Sequence, residues 1–240
     1  MGLPNQLIPS PVLTSTVELR FKTSVDKAKI LPLMFESFYK TLSDFSETGI
    51  PSELKEGNEV LKYYPDYILK NDEFALSFSD KALSFENING YRLWNNYFSF
   101  IKDSLSKIYN LNIFDCVERI GIRYSSFFEM NDNKIEDIFN YVPKLALDDY
   151  KGDFFSFSTN LFIDDYRLLI QLNNNHIALK NGNEVKGVLV DIDASYTTET
   201  GNLNSFDNIC EIVNDLHSKE KDLFFALIKR SFLEKEFQIN

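Results

Sequence analysis

Glycine and cysteine are scarce in this 240-residue chain, with 9 and 2 residues. Few glycines leave little material for a phosphate-cradling loop, and neither G-x-G-x-x-G nor G-x-x-x-x-G-K-[ST] occurs. The two cysteines, Cys116 and Cys210, are far apart, lack metal-type spacing and sit among apolar neighbours, which reads as two reduced, buried thiols. No C-x-x-C, H-E-x-x-H or G-x-S-x-G is present, so the zinc-protease and serine-hydrolase readings lose their support. An Asn-x-Ser/Thr acceptor is missing too. The first residues lack the Arg/Lys-plus-apolar form of a signal peptide, and Gln6 stands where a myristoylation motif needs Ser or Thr. The longest apolar run, Leu223 to Ile228, is far too short to span a bilayer. These absences make a cytoplasmic protein with no membrane association the expectation.

Positive charge is also in deficit. There are 25 Lys+Arg against 36 Asp+Glu, a formal net charge of -11. General nucleic-acid binding needs cations to displace phosphate counterions, so that class is disfavoured. The acidity is uneven: residues 1–120 carry a net -3 and residues 121–240 a net -8. Aromatic residues are abundant at 15% (22 Phe, 12 Tyr, 1 Trp), which excludes an acid-rich disordered chain.

Apolar residues at Val17, Leu19 and Phe21 alternate with Glu18, Arg20 and Lys22, the period of a half-buried strand. From Ser24, a candidate N-cap, helical spacing follows through Leu31, Met34, Phe38, Leu42 and Phe45, with Pro32 as an interruption. A polar loop (Gly49 to Asn58) leads to strand-like stretches at 63–69, 73–78 and 82–86. A second amphipathic helix carries Trp94, Phe98, Ile101, Leu105 and Ile108, and 115–129 reads as a long strand. This order is β-α-β-β-α-β, so the expectation is an α+β protein with a ferredoxin-like unit at 1–145. A short helix ending at Pro143 follows. An antiparallel meander (154–163, 166–172, 176–180 and 187–196) and a long closing helix from Ser205 would form a second unit at 150–240. A boundary between Leu145 and Asp153 divides the two, unless the meander joins one continuous sheet.

Alternation along Val117 to Tyr124 puts Arg119, Gly121 and Arg123 on one face and Glu118, Ile120, Ile122 and Tyr124 on the other. Two guanidinium forks flanking a glycine suit a phosphate or carboxylate. The alternative is an ion-pair ladder, with Glu18, on the Arg20 face of the first strand, reaching Arg119 or Arg123. Asp191 and Asp193 share a strand face opposite Val188, Val190, Ile192 and Ala194, and two such carboxylates can hold Mg²⁺ or Mn²⁺, with His176 as a further ligand if adjacent. A solvated strand face is the more ordinary explanation of the pair. His217, flanked by Asp215 and Glu220 on the closing helix, has the form of a general base or of a routine helix-surface pair.

Pro11-Val12-Leu13 with Val17-Glu18-Leu19-Arg20-Phe21, Arg119-Ile120-Gly121-Ile122-Arg123-Tyr124, Val190-Asp191-Ile192-Asp193 and Asp215-Leu216-His217 occur in that order. Together they resemble a sporadically distributed prokaryotic family of uncharacterised proteins, over nearly the whole chain. The resemblance brings no reaction or cofactor. It marks Glu18, Arg20, Arg119, Arg123, Asp191, Asp193 and His217 as positions of interest, and patchy distribution implies mobile loci such as defence or toxin–antitoxin systems.

Two functions follow as expectations. One is a non-catalytic protein-binding or regulatory component, its acidic second half meeting a basic partner, with no resident cofactor and with homodimerisation compatible. The other is an enzyme or sensor for a small phosphorylated ligand, with Arg119 and Arg123 as clamp and Asp191 and Asp193 holding a divalent ion.

Overall fold

The computed structural model describes residues 3–130, 133–140, 156–180, 182–198, 203 and 205–240. The turn expected at Asn131-Asp132, the helix end at Val142-Pro143, the boundary between Leu145 and Asp153, the start of the 154–163 strand and Asn181 lie outside them.

The chain is mixed α and β. Nine strands form one antiparallel sheet in the order β3-β4-β5-β6-β2-β7-β10-β9-β8, and β1 (Leu7–Ile8) pairs separately with β11 (Gln238–Ile239). The two long central strands are β2 (Val12–Lys22) and β7 (Cys116–Glu129). A meander of β3 (Asp44–Glu47), β4 (Tyr67–Lys70), β5 (Phe74–Phe78) and β6 (Ala82–Asn87) extends one edge. On the other side β10 (Asn183–Thr197) pairs with β7, followed by β9 (Tyr166–Lys180) and β8 (Ser156–Ile163). The β7–β10 ladder crosses the boundary expected near residue 150, so strands from both expected units share a sheet.

Three helices pack side by side against one sheet face: α1 (Lys27–Phe38), α3 (Trp94–Asn110) and α5 (Phe206–Leu227). Short α2 (Ser52–Lys55) and α4 (Ile135–Ile138) lie between strands, and α6 (Arg230–Glu236) precedes β11. Inward residues of β2 and β7 (Val17, Leu19, Ile120, Ile122) meet Met34 and Phe38 of α1, Ile101 and Leu105 of α3, and Val213 and Leu216 of α5 in the main core. Each such buried side chain contributes about 1.5–3 kcal/mol, so tertiary packing rather than propensity holds these helices. A second cluster joins Phe128, Val190 and Ile192 to Phe224, Ile228 and Phe232 near the end of α5.

Four departures from expectation have local causes. Helix α1 is capped by Asp26, whose carboxylate accepts the Ala28 N–H at 2.8 Å, because the Ser24 hydroxyl is engaged with Asp115. It stops at Phe38, and Phe45 belongs to β3, so four strands lie between α1 and α3, one more than the three stretches read from the sequence and two more than a ferredoxin-like unit has. The stretches 166–172 and 176–180 are one strand. Asn173 to Asn175 form a bulge opposite Val188, not a turn, and the Asn175 N–H is taken up by the Asn173 side chain at 2.8 Å. Lastly, a register shift between Arg20 and Phe21 turns Glu118 out of the inner face; it pairs with Lys22. Among the described residues no helix is long and apolar enough to cross a membrane.

Candidate functional site

The sheet face away from the helices gathers six of the seven residues singled out above. Glu18 and Arg20 stand on β2, Arg119 and Arg123 on β7, and Asp191 and Asp193 on β10. Glu18 Oε1 accepts from Arg20 at 2.7 Å and from Arg119 at 2.8 Å. Arg119 also donates to Asp193 at 3.0 Å, and Arg123 to Asp191 at 3.0 Å. Asp191, buried, accepts a further bond from Ser125. The Asp191 partner raises the Arg123 pKa.

These pairs are diagonal. Gly121 faces Glu18, Arg123 faces Asp193 and Ser125 faces Asp191. Arg119 therefore leans along β7, over Gly121, to reach both acids, and Arg123 leans the same way to Asp191. A Cβ at Gly121 would lie 2.5 Å from Arg119 Nη1 and 2.9 Å from Cζ. The glycine between the arginines is thus explained by the guanidinium lying across it. This is the ion-pair ladder, extended to a third strand. Both aspartates already face a guanidinium, so a divalent ion would have to displace two charge-assisted bonds. His176 is in register with Gly187, several residues along from Asp191 and Asp193, and does not join them. Among the described residues no cluster of three or more His, Cys, Asp or Glu is arranged to hold a metal.

The seventh residue, His217, lies on the opposite face of the sheet. It lines a cavity of about 120 Å³ between β7, the start of α3, the middle of α5 and the strap of residues 4–12. The strap is clasped by β11: the Asn5 and Gln6 N–H groups both donate to the Asn240 carbonyl. His217 stacks on Trp94 with ring centroids 3.8 Å apart and planes at 12°, while the Trp94 indole N–H donates to Asn214 at 3.2 Å. Tyr124 Oη lies 3.4 Å from His217 Nδ1 and 3.5 Å from Tyr91 Oη. Burial, aided by Lys221, pushes the His217 pKa down to about 3, so the imidazole is neutral at ordinary pH. Burial also raises Tyr91 to about 12 and Tyr124 well above the ordinary phenol value.

One turn beyond His217, Glu220 is 5% exposed, lines the same cavity and has no hydrogen-bond partner among the described residues. Burial lifts its pKa to about 8, against the opposing pull of Lys221. A carboxyl in this state is costly unless it is protonated or meets a cation. In the sequence, Glu220 stands out only as a neighbour of His217. Its signal was spacing: Val213, Leu216, Glu220 and Phe224 run along the buried stripe of α5, with an acid where an apolar residue belongs. No family model and no curated protein matches this chain.

Proposed function

We propose that the protein is a cytoplasmic, non-catalytic binding or regulatory component, whose recognition element is the pocket around Glu220. The buried carboxyl, without a hydrogen-bond partner among the described residues and set in an aromatic-walled cavity, carries this reading, because binding pockets combine apolar walls with a few convergent polar groups. His217 supports binding over catalysis. An imidazole with its pKa near 3 is a poor base at neutral pH. The charge of -11, more of it in the half that contributes α5, favours a basic partner. The β7-β2-β6-β5 order, with α1 and α3 as crossovers, is read as a ferredoxin-like core that the edge strands widen. The phosphate-clamp alternative has less support, since Arg119 is held between Glu18 and Asp193 and Arg123 gives its Nε to Asp191.

Trp94, the single tryptophan, lines the pocket and reports on it. A library of cationic, neutral and anionic fragments should contain members that change Trp94 emission saturably and are recovered unaltered by mass spectrometry. Silence from every charge class, or chemical conversion of a bound fragment, refutes the reading.

A further inference from the structure

We infer that the occupant of this pocket is an organic ammonium group, held by the Glu220 carboxylate within walls that include Tyr91, Trp94, Tyr124 and Phe224. The inference rests on the binding reading above and specifies its ligand. Three observations carry it. Glu220 is a buried residue that lines the cavity, and its carboxyl meets no hydrogen-bond donor among the described residues. The walls are aromatic, and aromatic faces attract cations most strongly where water is excluded. The cavity of about 120 Å³ has room for on the order of four waters, the scale of an alkylammonium head group.

Charged groups near Glu220 sharpen the choice. Its own helix brings Lys221 and neutral His217; β7 brings Tyr124 and the α3 approach brings Tyr91, both protonated. The strap contributes uncharged Asn5, Gln6 and Ser10. A phosphate or carboxylate ligand would require the carboxyl to stay protonated, whereas an ammonium replaces the proton that the carboxyl otherwise holds. Binding then releases a proton. A permanently charged ligand should bind about tenfold more tightly at pH 9 than at pH 7, because roughly a tenth of the carboxyl is ionised at the lower pH.

Isothermal titration with choline and with its neutral isostere 3,3-dimethylbutan-1-ol tests this. Choline should bind at least tenfold more tightly, with the stated pH dependence and with proton release. Glu220→Gln should abolish both the preference and the pH dependence. That variant mimics the protonated acid, and a melting temperature at pH 6 no lower than that of the unsubstituted protein shows that it is folded. n-Butylammonium separates two sources of the same chemistry. Tighter binding than choline points to a primary ammonium such as a lysine side chain, and weaker binding to a quaternary head group. Equal affinity for choline and the alcohol, or unchanged choline binding by Glu220→Gln, overturns the ammonium inference and leaves the pocket reading standing. If none of the three binds while other fragments do, the ammonium inference alone fails. Silence from all fragments removes both.

Discussion

Replacing Glu220 with Gln should make the protein more stable at alkaline pH, although it deletes a charge from a buried site. The carboxyl titrates near 8 in the folded protein against an ordinary 4.5, so between these values the folded state holds a proton that the unfolded state has released. Stability contributed by that proton is complete below about pH 4.5 and is lost as pH rises through 8, at about 1.4 kcal/mol per unit. The full span is about 5 kcal/mol, an order-of-magnitude figure. His217 acts in the opposite sense. Its pKa near 3, against 6.5, adds stability as pH rises from 3 to 6.5. The two slopes cancel between 4.5 and 6.5, leaving a plateau there and a decline of about 2 kcal/mol from 6.5 to 8. Self-repulsion of a chain carrying -11 affects both proteins and drops out of their difference. Urea melts followed by far-UV circular dichroism, in amine-free buffers from pH 5 to 9, give that difference directly. A difference that does not change between pH 6 and 9 would refute the placement of this carboxyl.

Gly121→Ala should cost about 1–3 kcal/mol by forcing Arg119 off its two acids. A double-mutant cycle in urea should show much of that loss vanishing in an Arg119→Ala background; additive losses contradict the contact. Arg123→Ala strands Asp191, whose side chain is 5% exposed, and should cost about 2–3 kcal/mol by the same assay, with part of the loss recovered by adding Asp191→Asn. Tyr97 is fully buried and donates to the Phe85 carbonyl at 2.6 Å, so Tyr97→Phe should cost about 1 kcal/mol without altering Trp94 emission.

Where one face of an element is buried and the other solvated, the sequence was informative. The inward set Val188, Val190, Ile192 and Ala194 and the helix α5 follow from periodicity alone, because burial repeats with the period of the backbone. β3 has all four residues exposed and offers no such contrast. The three asparagines of β9 have turn chemistry, yet the long partner strand β10 absorbs them as a bulge. The charged face was legible as a set of residues, whereas its meaning depended on register. Only the diagonal offsets of β2, β7 and β10 let Arg119 give its two terminal nitrogens to Glu18 and Asp193 and Arg123 its Nε to Asp191. The pocket was the least visible feature, since it draws on segments as far apart as the strap, the α3 approach, β7 and α5. A single acid in an apolar stripe acquires meaning once those segments close around it.

The Glu220 carboxyl can be observed by ¹³C NMR, with the Glu220→Gln variant providing the assignment. A titration midpoint near 8 in the free protein, moving down when choline is added, is the predicted result. A midpoint in the ordinary carboxylate range, unmoved by choline, would contradict it.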